Sequence, residues 1–141
     1  MSYKKSWMLF FVLVAMLVLA ACGGSAAPVA DGEAISLADL PTNIDVKTVN
    51  QLRERDDVLV LDVREDWEYA AGHIPGTTLI PLGQLQSRLS ELPTDKTIVA
   101  VCRSGNRSGQ ATDLLKKSGF AVHNMTGGMN AWQQAGLAVE Q

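Results

Sequence analysis

The chain of 141 residues has few of the side chains that form disulfides or bind transition metals. It contains two cysteines, Cys22 and Cys102, and two histidines, His73 and His123. These four residues show no recognisable metal-ligand spacing, so we expect no metal site. If Cys22 carries a modification, Cys102 is left as a free thiol, and a leftover cysteine in an exported protein is a candidate reactive group.

Long basic runs are absent as well. The chain carries 12 basic and 15 acidic residues, a formal net charge of −3. Without Lys4 and Lys5, near the amino terminus, ten basic residues stand against fifteen acidic ones, and the charge is −5. An acidic domain without a cluster of Lys and Arg has no electrostatic footprint for nucleic acid, so we predict no nucleic-acid partner.

The first 22 residues have the pattern of an export signal. Two lysines precede an apolar run from Trp7 to Ala21, which is shorter than the ~20 residues of a typical transmembrane helix. The run ends in Leu-Ala-Ala-Cys at positions 19–22, which resembles the lipobox of bacterial lipoproteins, where the cysteine receives lipid and becomes the first residue. We therefore expect a signal peptide at 1–21 and lipid on Cys22. An uncleaved membrane anchor and ordinary secretory cleavage are the alternatives.

Residues 22–36 are rich in Gly, Ala, Ser and Pro and have no apolar period, which is typical of a flexible tether. Roughly 14 such residues span about 20 Å on average. The remaining length, 37–141, suits one folded domain. We expect the lipid to hold this domain just outside a bacterial cell membrane, on its extracytoplasmic side.

The domain alternates between strand-like and helix-like patterns. Val58–Asp62 and Thr97–Cys102 are short apolar runs typical of strands buried on both faces, and Thr78–Ile80 and Ala121–Asn124 are weaker examples. Helical patterns begin at Asp45, follow Leu82, Leu85, Leu89 and Leu92, follow Ala111, Leu114 and Leu115 up to Gly119, and cover 128–135. This order predicts an α/β fold with a mostly parallel central sheet and helices on both faces.

Functional sites in such sheets lie beyond the carboxyl ends of the strands, where Asp62 and Cys102 are expected. The loop there consists of Cys102, Arg103, Ser104, Gly105, Asn106, Arg107 and Ser108. Gly and Asn allow a turn that points backbone N–H groups inward, and the following helix adds free donors and the positive end of its dipole. Both effects lower the pKa of a thiol, and the thiolate is the nucleophile. We predict Cys102 as the catalytic residue and the rest of the loop as binding residues for an anionic sulfur donor; a buried structural cysteine is the alternative.

Three motifs follow one another along the domain: Leu61–Glu65 continuing through Glu68–Gly76, the Cys102 loop, and Thr126–Trp132. Together they cover about residues 40–139, and they resemble the motifs of single-domain rhodaneses. The resemblance implies a single rhodanese-like domain with thiosulfate sulfurtransferase activity. Cys102 would take sulfane sulfur from thiosulfate or a similar donor as a persulfide, held by the loop amides, and pass it to cyanide in an assay or to a thiol in the cell. No cofactor is implied.

Two functions other than sulfur transfer are open to a chain with these motifs, a cysteine phosphatase and a non-catalytic binding module. Cysteine phosphatases resemble this fold in part but use a C-x5-R loop around a tetrahedral oxyanion, whereas four residues separate Cys102 from Arg107, and the shorter loop favours a single sulfur. The main alternative is a non-catalytic rhodanese-like module at the membrane surface that binds a partner or senses persulfides. The intact Cys102 counts against that alternative, because inactive modules often lack the residue.

Other polar residues near the motifs are predicted to support the structure. Asp62 stands at a strand end with Arg64 able to pair with it, which would fix the neighbouring loops. His73 is expected to satisfy backbone groups in a turn rather than to act as a base, because sulfur exchange needs no strong base once the thiol is ionised. Trp67, Tyr69 and Trp132 are expected to pack in the core or at its rim, and Trp132 can also wall the pocket.

Overall fold

Five parallel strands form the central sheet of the domain in residues 35–141. The computed structural model describes residues 35–141, so the predicted signal peptide, Cys22 and most of the tether lie outside the described residues. The strands are β1 (Asn43–Ile44), β2 (Val58–Asp62), β3 (Thr78–Leu79), β4 (Thr97–Val101) and β5 (Val122–Met125). Their order across the sheet is β1-β5-β4-β2-β3, and each of these pairings is parallel. The prediction of an α/β fold with a mostly parallel sheet is confirmed.

In this part of the chain four helices connect successive strands, and a fifth follows β5. They are α1 (Val46–Leu52), α2 (Asp66–Ala70), α3 (Leu82–Leu85), α4 (Asn106–Lys117) and α5 (Gly128–Gln134), with 3-10 turns at Leu37–Asp39 and Leu89–Glu91. Asp45 caps α1 as predicted, because its carboxylate accepts a hydrogen bond from the Thr48 amide at 2.8 Å. Within residues 35–141 no helix combines the length and the apolar character needed to cross a bilayer.

Alternate residues of β4 are buried on opposite faces of the sheet. On one face, Ile98 and Ala100 belong to a buried cluster with Leu85 of α3 and Leu115 of α4. On the other face, Val99 is fully buried, as are the largest apolar side chains of α1 and α5, Leu52 and Trp132. This two-sided burial explains why β4 is a continuous apolar run rather than an alternating one.

The four leucines from Leu82 to Leu92 predict one helix, and that prediction is wrong. The segment forms the single turn α3, then a bend, then the 3-10 turn. In the bend, the Ser87 hydroxyl donates to the carbonyl of Gln84 at 2.9 Å, so a side chain occupies an acceptor near the end of α3. The leucine side chains still pack on the core cluster, because two short turns present the same apolar side that a helix would.

The carboxyl ends of β2 and β4 lie side by side. Asp62, the last residue of β2, is paired in register with Val101, the last residue of β4. Cys102 follows Val101 directly, so the ends of these two neighbouring strands bring Asp62 and Cys102 to one edge of the sheet.

Candidate active site

Cys102 begins a tight loop between β4 and α4. Its residue surface is only 1% exposed. The loop turns at Gly105, which has a φ of +97° that side chains other than glycine rarely adopt. Directly after this turn, α4 begins at Asn106, four positions after Cys102.

The Cys102 sulfur is surrounded by hydrogen-bond donors. The Gly105 amide donates to Sγ at 3.1 Å, and the Ser108 hydroxyl lies 3.3 Å from it. Burial opposes ionisation of this thiol, but hydrogen bonds from the Ser108 side chain and from the amides of Ser108, Ser104 and Gly105 outweigh it. Together they hold the pKa of Cys102 below its ordinary value. The loop thus stabilises an anionic sulfur without a neighbouring base.

A second loop supports the first from behind. The Met129 amide donates to the Cys102 carbonyl at 2.8 Å, and the Asn130 amide donates to the Arg103 carbonyl at 3.0 Å. Gly128 allows this approach, because a Cβ on it would lie 2.3 Å from the Cys102 carbonyl oxygen. The amino-terminal turn of α5 therefore fixes the backbone that carries the sulfur.

The two arginines of the loop have different environments. Both terminal nitrogens of Arg107 donate to the Glu68 carboxylate, each at 2.7 Å. The hydrogen bond from Arg107 is the main cause that lowers the pKa of Glu68 to about 2, although burial opposes the shift. Arg103 is exposed, and no described residue forms a hydrogen bond or an ion pair with its side chain. Arg103 is therefore the loop arginine that is open to an incoming anion, whereas Arg107 ties the loop to α2.

Asp62 and Arg64 form a buried ion pair beside the loop. The shortest contact, from Arg64 Nη2 to Asp62 Oδ2, is 2.6 Å. The same guanidinium also donates to the carbonyls of Glu68 at 3.2 Å and Gly72 at 3.0 Å. These contacts join the end of β2 to the middle of α2 and to Gly72, two residues beyond the end of α2.

His73 has partners other than the thiol. Its Nδ1 lies 3.0 Å from the Tyr69 carbonyl oxygen, its Nε2 lies 3.2 Å from a Glu140 carboxylate oxygen, and its ring stacks on that of Tyr69. Its backbone pairs with Glu140 in an isolated antiparallel bridge.

In the described part of the chain no group of three or more His, Cys, Asp or Glu side chains is placed to hold a metal ion.

A cavity of about 330 Å³ lies beside the Cys102 loop. Its lining includes Arg64, Glu68 and the exposed Arg103 and Trp67, and the other lining residues are Ala71, Gly72, Met129, Asn130 and Gln133. Arg64 is paired with Asp62 and Glu68 with Arg107. Trp67 is 70% exposed, so it forms part of the rim rather than of the core. Trp132 instead is fully buried and donates to the Ala138 carbonyl at 2.9 Å, so it packs in the core.

Comparison with known proteins identifies the family. The model of the rhodanese-like domain matches residues 45–135. The chain belongs to the rhodanese-like family. Within this family it is 40% identical, over 98 residues, to a sulfurtransferase of Allochromatium vinosum, with 68% of this chain and 92% of that protein covered. It is 33% identical to thiosulfate sulfurtransferase GlpE of Pseudoalteromonas translucida, with 66% and 90% covered.

The solved structures agree with this membership. A rhodanese-related protein from Thermoplasma volcanium superposes with a TM-score of 0.67 at 29% identity, covering 71% of this chain and 98% of that one. The chain spans about half the length of some other curated relatives that it matches. Rhodanese-like membership, the relatives named as sulfurtransferases and the intact Cys102 loop together support a role in sulfur transfer.

Three features of the site escape analysis of the sequence alone. They are the partner of Arg107, Glu68; the contact between Ser108 and Asn124; and the position of Trp67 at the cavity rim. Glu68 stands within the first motif, and its spacing from Glu65 is the one signal available, because the two residues form a capping box at α2.

Proposed function

We propose that the chain is a sulfurtransferase in which Cys102 carries sulfane sulfur from thiosulfate, or a similar anionic donor, to a thiophilic acceptor. The observation that carries the proposal is the set of amide and hydroxyl donors around the Cys102 sulfur. Such donors stabilise a thiolate before the reaction and a terminal persulfide anion after it.

The proposed reaction has two displacements. The Cys102 thiolate attacks the outer sulfur of thiosulfate, a new S–S bond forms, the S–S bond of thiosulfate breaks, and sulfite leaves with the electron pair. An acceptor nucleophile then attacks the outer sulfur of the persulfide and restores the thiolate; cyanide gives thiocyanate, and a thiolate gives a new persulfide. The exposed Arg103 supplies positive charge for gathering an anionic donor at the cavity.

We also propose that the protein acts outside the cytoplasm, held to the cell membrane by lipid on Cys22. This proposal rests on the Leu-Ala-Ala-Cys motif at positions 19–22 and on the polar, small-residue segment that follows it.

The enzymatic proposal is tested by loading the full chain with sulfur. After incubation with thiosulfate, the peptide that contains Cys102 is expected to gain one sulfur atom by mass spectrometry, and cyanide is expected to remove it as thiocyanate. Cys102→Ser is expected to lose both steps, because a hydroxyl is not ionised near neutral pH and forms no S–S bond. If the wild-type protein gains no sulfur from thiosulfate, polysulfide or mercaptopyruvate, a binding module is the better description.

A further inference from the structure

Behind the Cys102 sulfur lies a chain of polar side chains from three elements. The Ser108 hydroxyl, on α4, lies 3.3 Å from Cys102 Sγ and 2.6 Å from Oδ1 of Asn124 on β5. Asn124 Nδ2 donates in turn to Oδ1 of Asn43 on β1 at 2.9 Å. Ser108 is fully buried and Asn124 is 7% exposed, so water does not replace these contacts freely. This series of hydrogen bonds therefore connects the Cys102 sulfur to β1, at the edge of the sheet.

The Ser108 hydroxyl has one hydrogen for two acceptors. A contact of 2.6 Å between two oxygens is a short hydrogen bond, and the Asn124 oxygen carries no hydrogen, so Ser108 must donate to Asn124. With that hydrogen committed, Ser108 offers a neutral thiol only a lone pair, and its hydroxyl becomes a donor to the sulfur only when the sulfur is ionised. A Cys102 thiol satisfies this arrangement by donating its own S–H to the Ser108 oxygen.

Ionisation of the sulfur reverses this requirement. A thiolate or a persulfide anion accepts hydrogen bonds only, so Ser108 stabilises it by turning its hydrogen toward the sulfur. The Ser108 and Asn124 oxygens would then face each other at 2.6 Å without a hydrogen between them. Rotation of the Asn124 amide removes that repulsion, because its nitrogen then donates to Ser108. Asn43 is exposed and can turn its own amide to donate to the Asn124 oxygen.

We propose that Asn124 is a positioning residue that controls which way the Ser108 hydroxyl points. Its amide oxygen holds the Ser108 hydrogen while Cys102 is a thiol, and its amide nitrogen supports Ser108 when the sulfur is an anion. The proposal deepens the sulfurtransferase function proposed above and rests on it for its biological meaning. The hydrogen-bond geometry on which it stands is independent of the donor or the acceptor.

Other charges near the sulfur do not depend on Asn124. Arg107, on α4, remains bound to Glu68 of α2, and the charge of Cys102 adds to the effect of Glu68 in raising the pKa of Arg107. Asp62, at the end of β2, and Arg64, two residues later, form an ion pair with each other. Arg103, in the loop itself, is exposed to solvent. Changes at Asn124 thus act through Ser108 or through the charge that they introduce.

The test follows the ionisation of Cys102 in the full chain, by the alkylation rate of its peptide against pH. Asn124→Asp places an acceptor-only group against Ser108 and keeps the hydroxyl hydrogen away from the sulfur. We expect the inflection to rise by about one pH unit or more, a tenfold loss of thiolate below the inflection. Asn124→Ala frees the Ser108 hydrogen for the sulfur and is expected to leave the inflection unchanged or lower it. Ser108→Ala, which removes the hydroxyl, is expected to raise it.

Asn130→Asp is the matched control, since it adds the same charge at an exposed position whose backbone contacts the Cys102 loop. Its inflection is expected to rise less than that of Asn124→Asp, because solvent screens the charge. Equal shifts in the two Asp variants would overturn the proposal, and so would a rise in Asn124→Ala that matches Ser108→Ala. Because alkylation needs no sulfur donor, these outcomes are distinct from a failure of the wild-type protein to gain sulfur.

Discussion

Arg103 and Arg107 are chemically identical side chains four positions apart, yet their contacts assign them different tasks. Arg103→Ala is expected to lower kcat/KM for thiosulfate several-fold at low salt without changing stability beyond about 0.5 kcal/mol, because the exposed guanidinium only gathers the anion. The loss in kcat/KM is expected to shrink as salt rises, given a Debye length of about 8 Å at physiological ionic strength.

Arg107→Ala is expected to lower the free energy of unfolding, measured in urea, by about 2–3 kcal/mol, since it leaves the buried Glu68 carboxylate unpaired.

The stabilisation of the folded protein by the Arg107–Glu68 ion pair depends on pH through the carboxylate of Glu68. Its pKa is lowered from 4.5 to about 2 in the folded protein, so the stabilisation is fully present above pH 4.5 and is lost as the pH falls toward 2. The stability difference between the wild-type protein and Arg107→Ala is therefore expected to narrow across this range. A difference that stays constant from neutral pH down to the acid limit would contradict the role assigned to the pair.

At the scale of elements, the docking of α5 on the Cys102 loop is the arrangement most sensitive to a single methyl group. Gly128→Ala places its Cβ 2.3 Å from the Cys102 carbonyl oxygen at a φ of +56°, so the loop backbone must move. We expect a loss of at least about 2 kcal/mol in unfolding free energy together with a loss of sulfur uptake. Gly83→Ala in α3 is the control, because a Cβ there meets nothing within 4 Å and alanine favours a helix. Equal effects of the two substitutions would show that the close approach at Gly128 does not matter.

Elements defined by local chemistry were predictable, and contacts between distant segments were not. The apolar runs of β2 and β4 and the Gly105 turn identify the strands and the loop because their signals lie within a few residues of each other. The leucines from Leu82 to Leu92 predict one helix, but two short turns form instead. The two structures cannot be told apart by spacing, because the apolar side of two short turns has the same leucine spacing as that of a helix. Glu68 and Arg107 are 39 positions apart, and their contact depends on how α2 and α4 pack, which periodicity does not encode.

At the scale of the whole molecule, net charge bears on how the protein is held at a membrane. The mature chain expected from the sequence has a formal charge of −5, and anionic lipid headgroups repel such a domain. The net charge therefore does not favour electrostatic attachment of the domain to such headgroups. In the proposed arrangement the lipid on Cys22 supplies the attachment, and the tether sets the distance between the domain and the membrane.

Substitution of Cys22 tests that attachment in the full chain expressed in a bacterial host. Cys22→Ser is expected to abolish lipid labelling, because serine offers no sulfur for the diacylglyceryl group, and either to release the domain or to leave the signal peptide uncleaved. Ser25→Ala, three positions later in the tether, is the control and is expected to keep full labelling. Sulfur loading of Cys102 in a released Cys22→Ser protein is expected to match the wild type, since the hydrogen-bond donors to the Cys102 sulfur in the described part of the chain lie between Ser104 and Ser108. An intact mass of membrane-extracted wild-type protein that shows Cys22 unmodified would overturn the lipoprotein proposal and leave an uncleaved anchor in its place.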